Sequence, residues 1–292
     1  MNSLPKKAIE ACCLLMLVLS SVATAQEAAV ETAVADPVVN ASPVVNASPV
    51  VRTSNEATVK SKRSDPPKPQ EKARKEYLGR VLARPMSHLG APWLIRAERD
   101  EEERTSESFK QLQLKEGMTV CDFGCGNGYW TLPMARDVGV DGQVLAVDIQ
   151  REMLQKLRQR SAKVKLENIE PILSTVDDAN LPKGEVDLLL MVDVYHEFSH
   201  PESMLWGIRR SLKPRGVVAL LEYREEDPKV PIKPRHKMSK HQIMKEYKKN
   251  GFKLVREYNK LPWQHLMFFA RDDSPLEQIE PVSAQQVLED LE

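Results

Sequence analysis

The stretch Val120–Trp130 reads VCDFGCGNGYW, with glycines at 124, 126 and 128 behind the carboxylate of Asp122 and thiols at Cys121 and Cys125. Four chemistries fit such a segment: a redox pair, a metal site, a phosphate cradle or a cofactor turn. Both cysteines sit where an apolar strand runs into a tight turn, so a bridge between them would distort that turn. No second Cys or His pair lies nearby at ligand spacing, so no metal site is expected. Glycines permit positive φ and let a ligand approach backbone that carries no Cβ. A dinucleotide fingerprint spaces them G-x-G-x-x-G, with pyrophosphate on a helix N-terminus. Here the spacing is G-x-G-x-G, and Asp122 would repel a pyrophosphate while favouring an ammonium or sulfonium group. A nicotinamide oxidoreductase is disfavoured.

More carboxylates follow at strand ends. Asp148 lies twenty residues after Gly128, where a carboxylate accepts hydrogen bonds from both ribose hydroxyls. Asp177 and Asp178 end a third strand, placed for a base amino group. DVYHEF then sets Asp193, Tyr195, His196 and Glu197 just beyond a fourth, on the rim where a second substrate must sit. His196 is the best candidate for a general base because its ordinary pKa lies near neutrality. Its competing role is to order the loop before Pro201. Glu222 and Tyr223, ending a fifth strand, are weaker candidates on the same edge. The basic run KVPIKPRHKMSKHQIMKEYKK reads as a solvated helix face rather than an anion or membrane site. Trp93 and Trp263 read as packing residues.

These residues need a frame. MTVCDF, QVLAVD, IEPILSTV, EVDLLLMVDV and GVVALLEY read as strands. Helices fall between them at Tyr129–Asp137, IQREMLQKLRQRS and PESMLWGIRRSL, the last with Pro201 in its first turn. Ser239 and Gln242 form a capping box for a helix ending near Gly251. FKLVREY and WQHLMFFAR close the pattern with no helix between them. Near-continuous apolar strands alternating with helices predict an α/β fold, a doubly wound, mostly parallel sheet with an antiparallel edge hairpin. Ahead of it, EKARKEYLGRVLARPM and GAPWLIRAERDEEERTSESFKQLQL read as a helical appendage over 71–116, with Arg96–Asp100 and Arg99–Glu103 at helix-pair spacing.

The ordered set of motifs from about Met118 to Arg271 resembles class I S-adenosylmethionine-dependent methyltransferases, a Rossmann-like, seven-stranded fold, and within them the ubiquinone/menaquinone-biosynthesis type. DFGCGNG is similar to their glycine motif, VLAVDIQ to the ribose-binding strand, STVDDANLP to the adenine-side acidic motif, and VDLLLMVDVYHEF to the fourth strand and its loop. MSHLGAPWL, MVDVYHEF and LPWQH also resemble segments of uncharacterised bacterial methyltransferase-domain proteins. The resemblance implies S-adenosylmethionine as cofactor. It assigns Asp122, Gly124, Gly126 and Gly128 to the methionine side, Asp148 to the ribose and Ile149 to the adenine. Asp177 would reach the adenine amino group and Asp193 would lie near the methyl group. A methyltransferase acting on a small molecule is the expected function; a non-catalytic binder on the same scaffold is the alternative.

Bulk properties agree. Charged residues are 29% of 292, with a formal net charge of zero, so no global field points to nucleic acid. Lys6 and Lys7, the apolar run ACCLLMLVLSSV and Ala23-Thr24-Ala25 read as an export signal over 1–25. That predicts an exported, periplasmic protein without stable membrane insertion after cleavage; a cytoplasmic or membrane-tethered chain is the alternative. Residues 26–70, with VVNASP in tandem, read as a disordered linker. The catalytic domain is bounded at 117–271, and 272–292 reads as a loose acidic tail.

Overall fold

A computed structural model describes residues 66–292. The export signal and most of the linker lie outside the described residues, and no helix among the described residues is long and apolar enough to cross a membrane.

A small antiparallel hairpin comes first, β1 (Glu76–Tyr77) and β2 (Arg80–Val81). A 3₁₀ helix (His88–Ile95) and two short helices, α1 (Arg99–Glu103) and α2 (Thr105–Gln111), follow it. The main sheet takes β3 (Thr119–Phe123), β4 (Gln143–Asp148), β5 (Ile169–Leu173), β6 (Val186–Val192), β7 (Leu212–Tyr223), β8 (Phe252–Tyr258) and β9 (Gln264–Arg271). Its seven strands run in the order β5-β4-β3-β6-β7-β9-β8. All pairs are parallel except those of β9, which runs antiparallel to both β7 and β8. The helices between are α3 (Thr131–Asp137), α4 (Arg151–Lys163), α5 (Pro201–Ser211) and α6 (Lys240–Lys249), and α7 (Ala284–Leu291) closes the chain.

Both faces of the sheet are covered, and the pleat explains the apolar strands. Cys121, Leu189 and Met191 point into one core with Leu205, Ile208 and Tyr247 from α5 and α6. Val120, Leu188 and Leu190 point into the opposite core with Met134 and Ala135 from α3. Successive residues alternate faces, so a strand buried on both sides must be apolar throughout. Strand order reverses at β3, which pairs with β4 on one side and β6 on the other. A crevice therefore opens beyond the carboxyl ends of those strands.

Several sequence expectations change here. The appendage is helical only in its second half: EKARKEYLGRVLARPM folds around the β1–β2 turn, where Leu78 and Gly79 take positive φ of 50° and 96°. Arg80 anchors that hairpin to Glu246 through bonds of 2.8 and 2.9 Å. Arg99 pairs with Glu103 as spaced, but Arg96 reaches Glu102 and Glu103, and Asp100 instead accepts from Thr105 and Ser106. Part of the linker is docked, since Lys68 pairs with Asp178 at 2.8 Å and Trp206 donates to the Pro66 carbonyl at 2.6 Å. The tail is not loose: Ser283 caps α7 by accepting from the Gln286 amide, and Val287 is fully buried. At α6 the cap is half a capping box. Ser239 accepts from the Gln242 amide, while the Gln242 side chain turns to Glu246 and the hairpin carbonyls.

Candidate active site

The crevice holds a cavity lined by Gly124 and Gly126 after β3, Asp148 and Ile149 at the end of β4, Ser174–Val176 after β5, and Asp193, Val194 and Glu197 after β6. Asp148 is held by two backbone amides. One carboxylate oxygen accepts from the Gly126 amide at 2.9 Å and the other from the Gln150 amide at 2.8 Å. Each oxygen keeps a lone pair free for a ligand hydroxyl. Gly126, at φ +54°, turns a face without Cβ to the cavity, and a Cβ there would meet only Leu94 Cδ1 at 2.7 Å. Such a cradle fits a ligand pressed against backbone.

Pro85, Met86 and Leu94 cover the opening. Their segment is strapped down by Gln150, which accepts from the His88 amide and donates to the Met86 carbonyl, both at 2.8 Å. The cavity has a volume of about 130 Å³.

Buried acids surround the cavity. Burial, countered in part by the Thr131 hydroxyl, raises the Asp122 carboxyl to about 6. Burial and the nearby charges of Glu103 and Glu222 hold Asp193 well above the usual carboxylate range. Asp193 also adopts φ +53°, strained for a residue with a Cβ, and is held by Gln264 at 2.9 and 3.1 Å. Burial likewise lifts Glu197 to about 7. A cationic ligand would offset the cost of ionising all three.

Beyond Glu197 lies a second groove, of about 780 Å³, which shares Pro85, Glu197 and Ser199 with the cavity and includes Arg84, Arg235 and His236. Next to Glu197 in the chain is His196, 1% exposed. Its Nδ1 lies 2.7 Å from Glu222 and its Nε2 lies 3.0 Å from His236 Nδ1. Burial works to lower the His196 pKa, but the charge and hydrogen bond of Glu222 outweigh it and raise it overall. His236 is pulled down by burial and by His196.

The candidates thus divide. Gly124, Gly126, Asp148, Ile149 and Asp193 line the cavity. Asp122 lies behind the glycine loop, bonded to the Thr131 hydroxyl at 2.5 Å. Gly128 packs on Leu157 in α4. Asp177 is not among the lining residues, and its carboxylate accepts from the hydroxyl of Thr175, which is, at 2.7 Å. His196 lies behind Glu197 rather than on the cavity wall. Cys121 and Cys125 are free and buried, as packing residues. Among the described residues, the fold also gathers ligand atoms of His196, Glu197 and His236 within 4.8 Å of one another. The sequence reading also missed Gln264, although LPWQH was singled out, and His236, lost in a run read as solvated lysines.

Asp122→Asn keeps an acceptor for Thr131 but removes a buried charge. A carboxyl raised from 3.8 to about 6 contributes stability that is present below pH 3.8 and lost as pH rises through 6. The variant should therefore be more stable than the parent at pH 7.5 by about 1–3 kcal/mol, with no gain at pH 4. Denaturant titrations at the two pH values check this, and an equal effect at both would refute a charged buried Asp122.

The methyltransferase-domain family model matches residues 114–271. Demethylmenaquinone methyltransferase of Listeria monocytogenes serotype 4a is 26% identical over 125 residues, which is 43% of this chain and 52% of that protein. Arsenite methyltransferase of Halobacterium salinarum is 30% identical over 112 residues, 38% of this chain and 29% of that protein. The chain thus spans about half or less of the length of these curated relatives. A crystal structure of a SAM-dependent methyltransferase from Aquifex aeolicus aligns at TM-score 0.59 and 26% identity, covering 63% of this chain and 98% of that one.

Proposed function

The chain belongs to the methyltransferase-domain family, and from that premise we propose that it moves a methyl group from S-adenosylmethionine to a small-molecule acceptor lodged between Glu197 and the Arg84–Arg235 groove. The carrying observation is the shared wall: Glu197 lines both the cradle of Gly126 and Asp148 and the neighbouring groove. Bound in the cradle, S-adenosylmethionine supplies a methyl group already activated on a sulfonium sulfur. Asp148 would hold the ribose hydroxyls, and Asp193 would face the reacting end. The buried carboxylates offset the cofactor's positive charge.

The remaining task is alignment, which lowers such barriers by several kcal/mol. The groove supports a flat, weakly acidic acceptor, with Leu82, Ala83 and Pro85 for a ring face and Arg84 and Arg235 for a negative group. Phenols of the quinol type fit that description, and relatives named demethylmenaquinone methyltransferase support the choice. Glu197 and His236 line the groove, and His196 backs His236 at 3.0 Å, an arrangement that would assist proton loss from an acceptor hydroxyl.

Titration calorimetry with S-adenosylmethionine, followed by a methyl-transfer assay over a panel of phenols, tests the reading. Saturable binding and turnover of at least one phenol are expected; no heat of binding would overturn it. Asp148→Ala should weaken cofactor binding by about 1.5–3 kcal/mol, the scale of hydrogen bonds to a charged group. Unchanged affinity would remove Asp148 from the ribose.

A further inference from the structure

We propose that His196, Glu197 and His236 form a site for one divalent cation of the zinc type, open towards the acceptor groove. The inference rests on the proposed methyl transfer for its role, although the site itself is argued from side chains alone. His196 Nε2, Glu197 Oε1 and His236 Nδ1 form a triangle with edges of 3.0, 3.9 and 4.0 Å. Donors bound tetrahedrally at about 2.0–2.2 Å stand roughly 3.3 Å apart, so shifts of a few tenths of an ångström close the set. His236 can make them, being 34% exposed on the short 3₁₀ turn Pro234–His236.

The tautomer is already set for ligation. Glu222 accepts from the His196 backbone amide at 3.2 Å with one oxygen and lies 2.7 Å from ring Nδ1 with the other. With a proton on Nδ1, Nε2 presents a lone pair towards His236. A carboxylate behind a ligating imidazole in this way fixes its orientation and raises its basicity. Glu197 is oriented in turn by the Met86 amide at 3.2 Å. Two imidazoles and one carboxylate suit a borderline cation such as Zn²⁺, whereas Mg²⁺ and Ca²⁺ favour all-oxygen shells.

Three protein ligands leave a fourth position for an exogenous oxygen or sulfur. Here it would take the acceptor's hydroxyl or thiol. That group's X–H bond breaks with its proton passing to solvent water, and the electron pair stays on X. The X–CH₃ bond then forms as the S–CH₃ bond breaks, its pair remaining on the cofactor's sulfur.

The test uses untagged full-length chain, stripped with a chelator and titrated with Zn²⁺ by calorimetry and with Co²⁺ by visible absorption. One equivalent should bind, with the Co²⁺ bands shifting when catechol is added. Glu222→Gln should weaken Zn²⁺ binding 10–100-fold, and His236→Ala, a surface change, should weaken it more. Wild-type affinity no better than that of His236→Ala would overturn the site, and Co²⁺ bands indifferent to catechol would overturn its acceptor role. A parallel titration with S-adenosylmethionine separates the two readings. Cofactor binding without cation binding sinks only this inference; cation binding without cofactor binding sinks only the methyl transfer.

Discussion

Gly126→Val is expected to weaken S-adenosylmethionine binding at least ~100-fold, about 2.7 kcal/mol, while the protein stays folded. A Cβ added there meets only the flexible end of Leu94 in the covering strap, on the side of the cavity where a ligand would lie. A φ of +54° costs a β-branched residue about 1–2 kcal/mol, which a domain of this size tolerates. Gly128 supplies the contrast. It has φ +86° and lies off the cavity, with Leu157 of the α4 core directly against its missing Cβ. Gly128→Val should therefore lose about 2–4 kcal/mol of stability from strain plus overpacking. Melting curves and calorimetry on both variants decide the matter. If Gly126→Val bound the cofactor within tenfold of the parent, the cradle would lie elsewhere.

That contrast marks what the sequence made legible. The sheet was readable because strands covered on both faces must be apolar at every position, as in VDLLLMV of β6. Asp148 was readable because it ends a strand at the switch in strand order, where ligands collect. The glycines were readable as a group but not one by one. Whether a glycine faces a ligand or a leucine depends on which helix packs behind it, and nothing within VCDFGCGNGYW encodes Leu157.

The errors share that origin. EKARKEYLGRVLARPM is rich in helix formers, but propensity is a weak prior. Here Arg80–Glu246, the Asn250–Tyr77 hydrogen bond and the left-handed Leu78-Gly79 pair hold a hairpin instead. The tail looked loose because it is acidic, yet one cap at Ser283 and one buried side chain at Val287 tie it down. His236 lies forty residues from His196, and only the fold shortens that separation to a hydrogen bond.

The largest expected effect on turnover belongs to His196. His196→Ala would leave the Glu222 carboxylate buried without its ring partner, at a cost of several kcal/mol, and so confounds folding with chemistry. His196→Asn is cleaner, because its amide nitrogen can donate to Glu222 where Nδ1 does, and nothing remains at the Nε2 position. This variant should keep cofactor affinity within about threefold, since His196 is absent from the cavity wall. Its turnover of a phenol should fall by roughly 10²–10⁴, the contribution of a positioned group that assists proton loss. His236→Ala should fall comparably, and the double variant little further, because residues acting as one unit lose their effect together. A role confined to ordering the loop before α5 predicts a different pattern: small losses of rate that add, each tracking a lower melting temperature. Steady-state rates, cofactor titrations and melting curves on the three variants separate these cases, and additive losses would return His196 to a packing role.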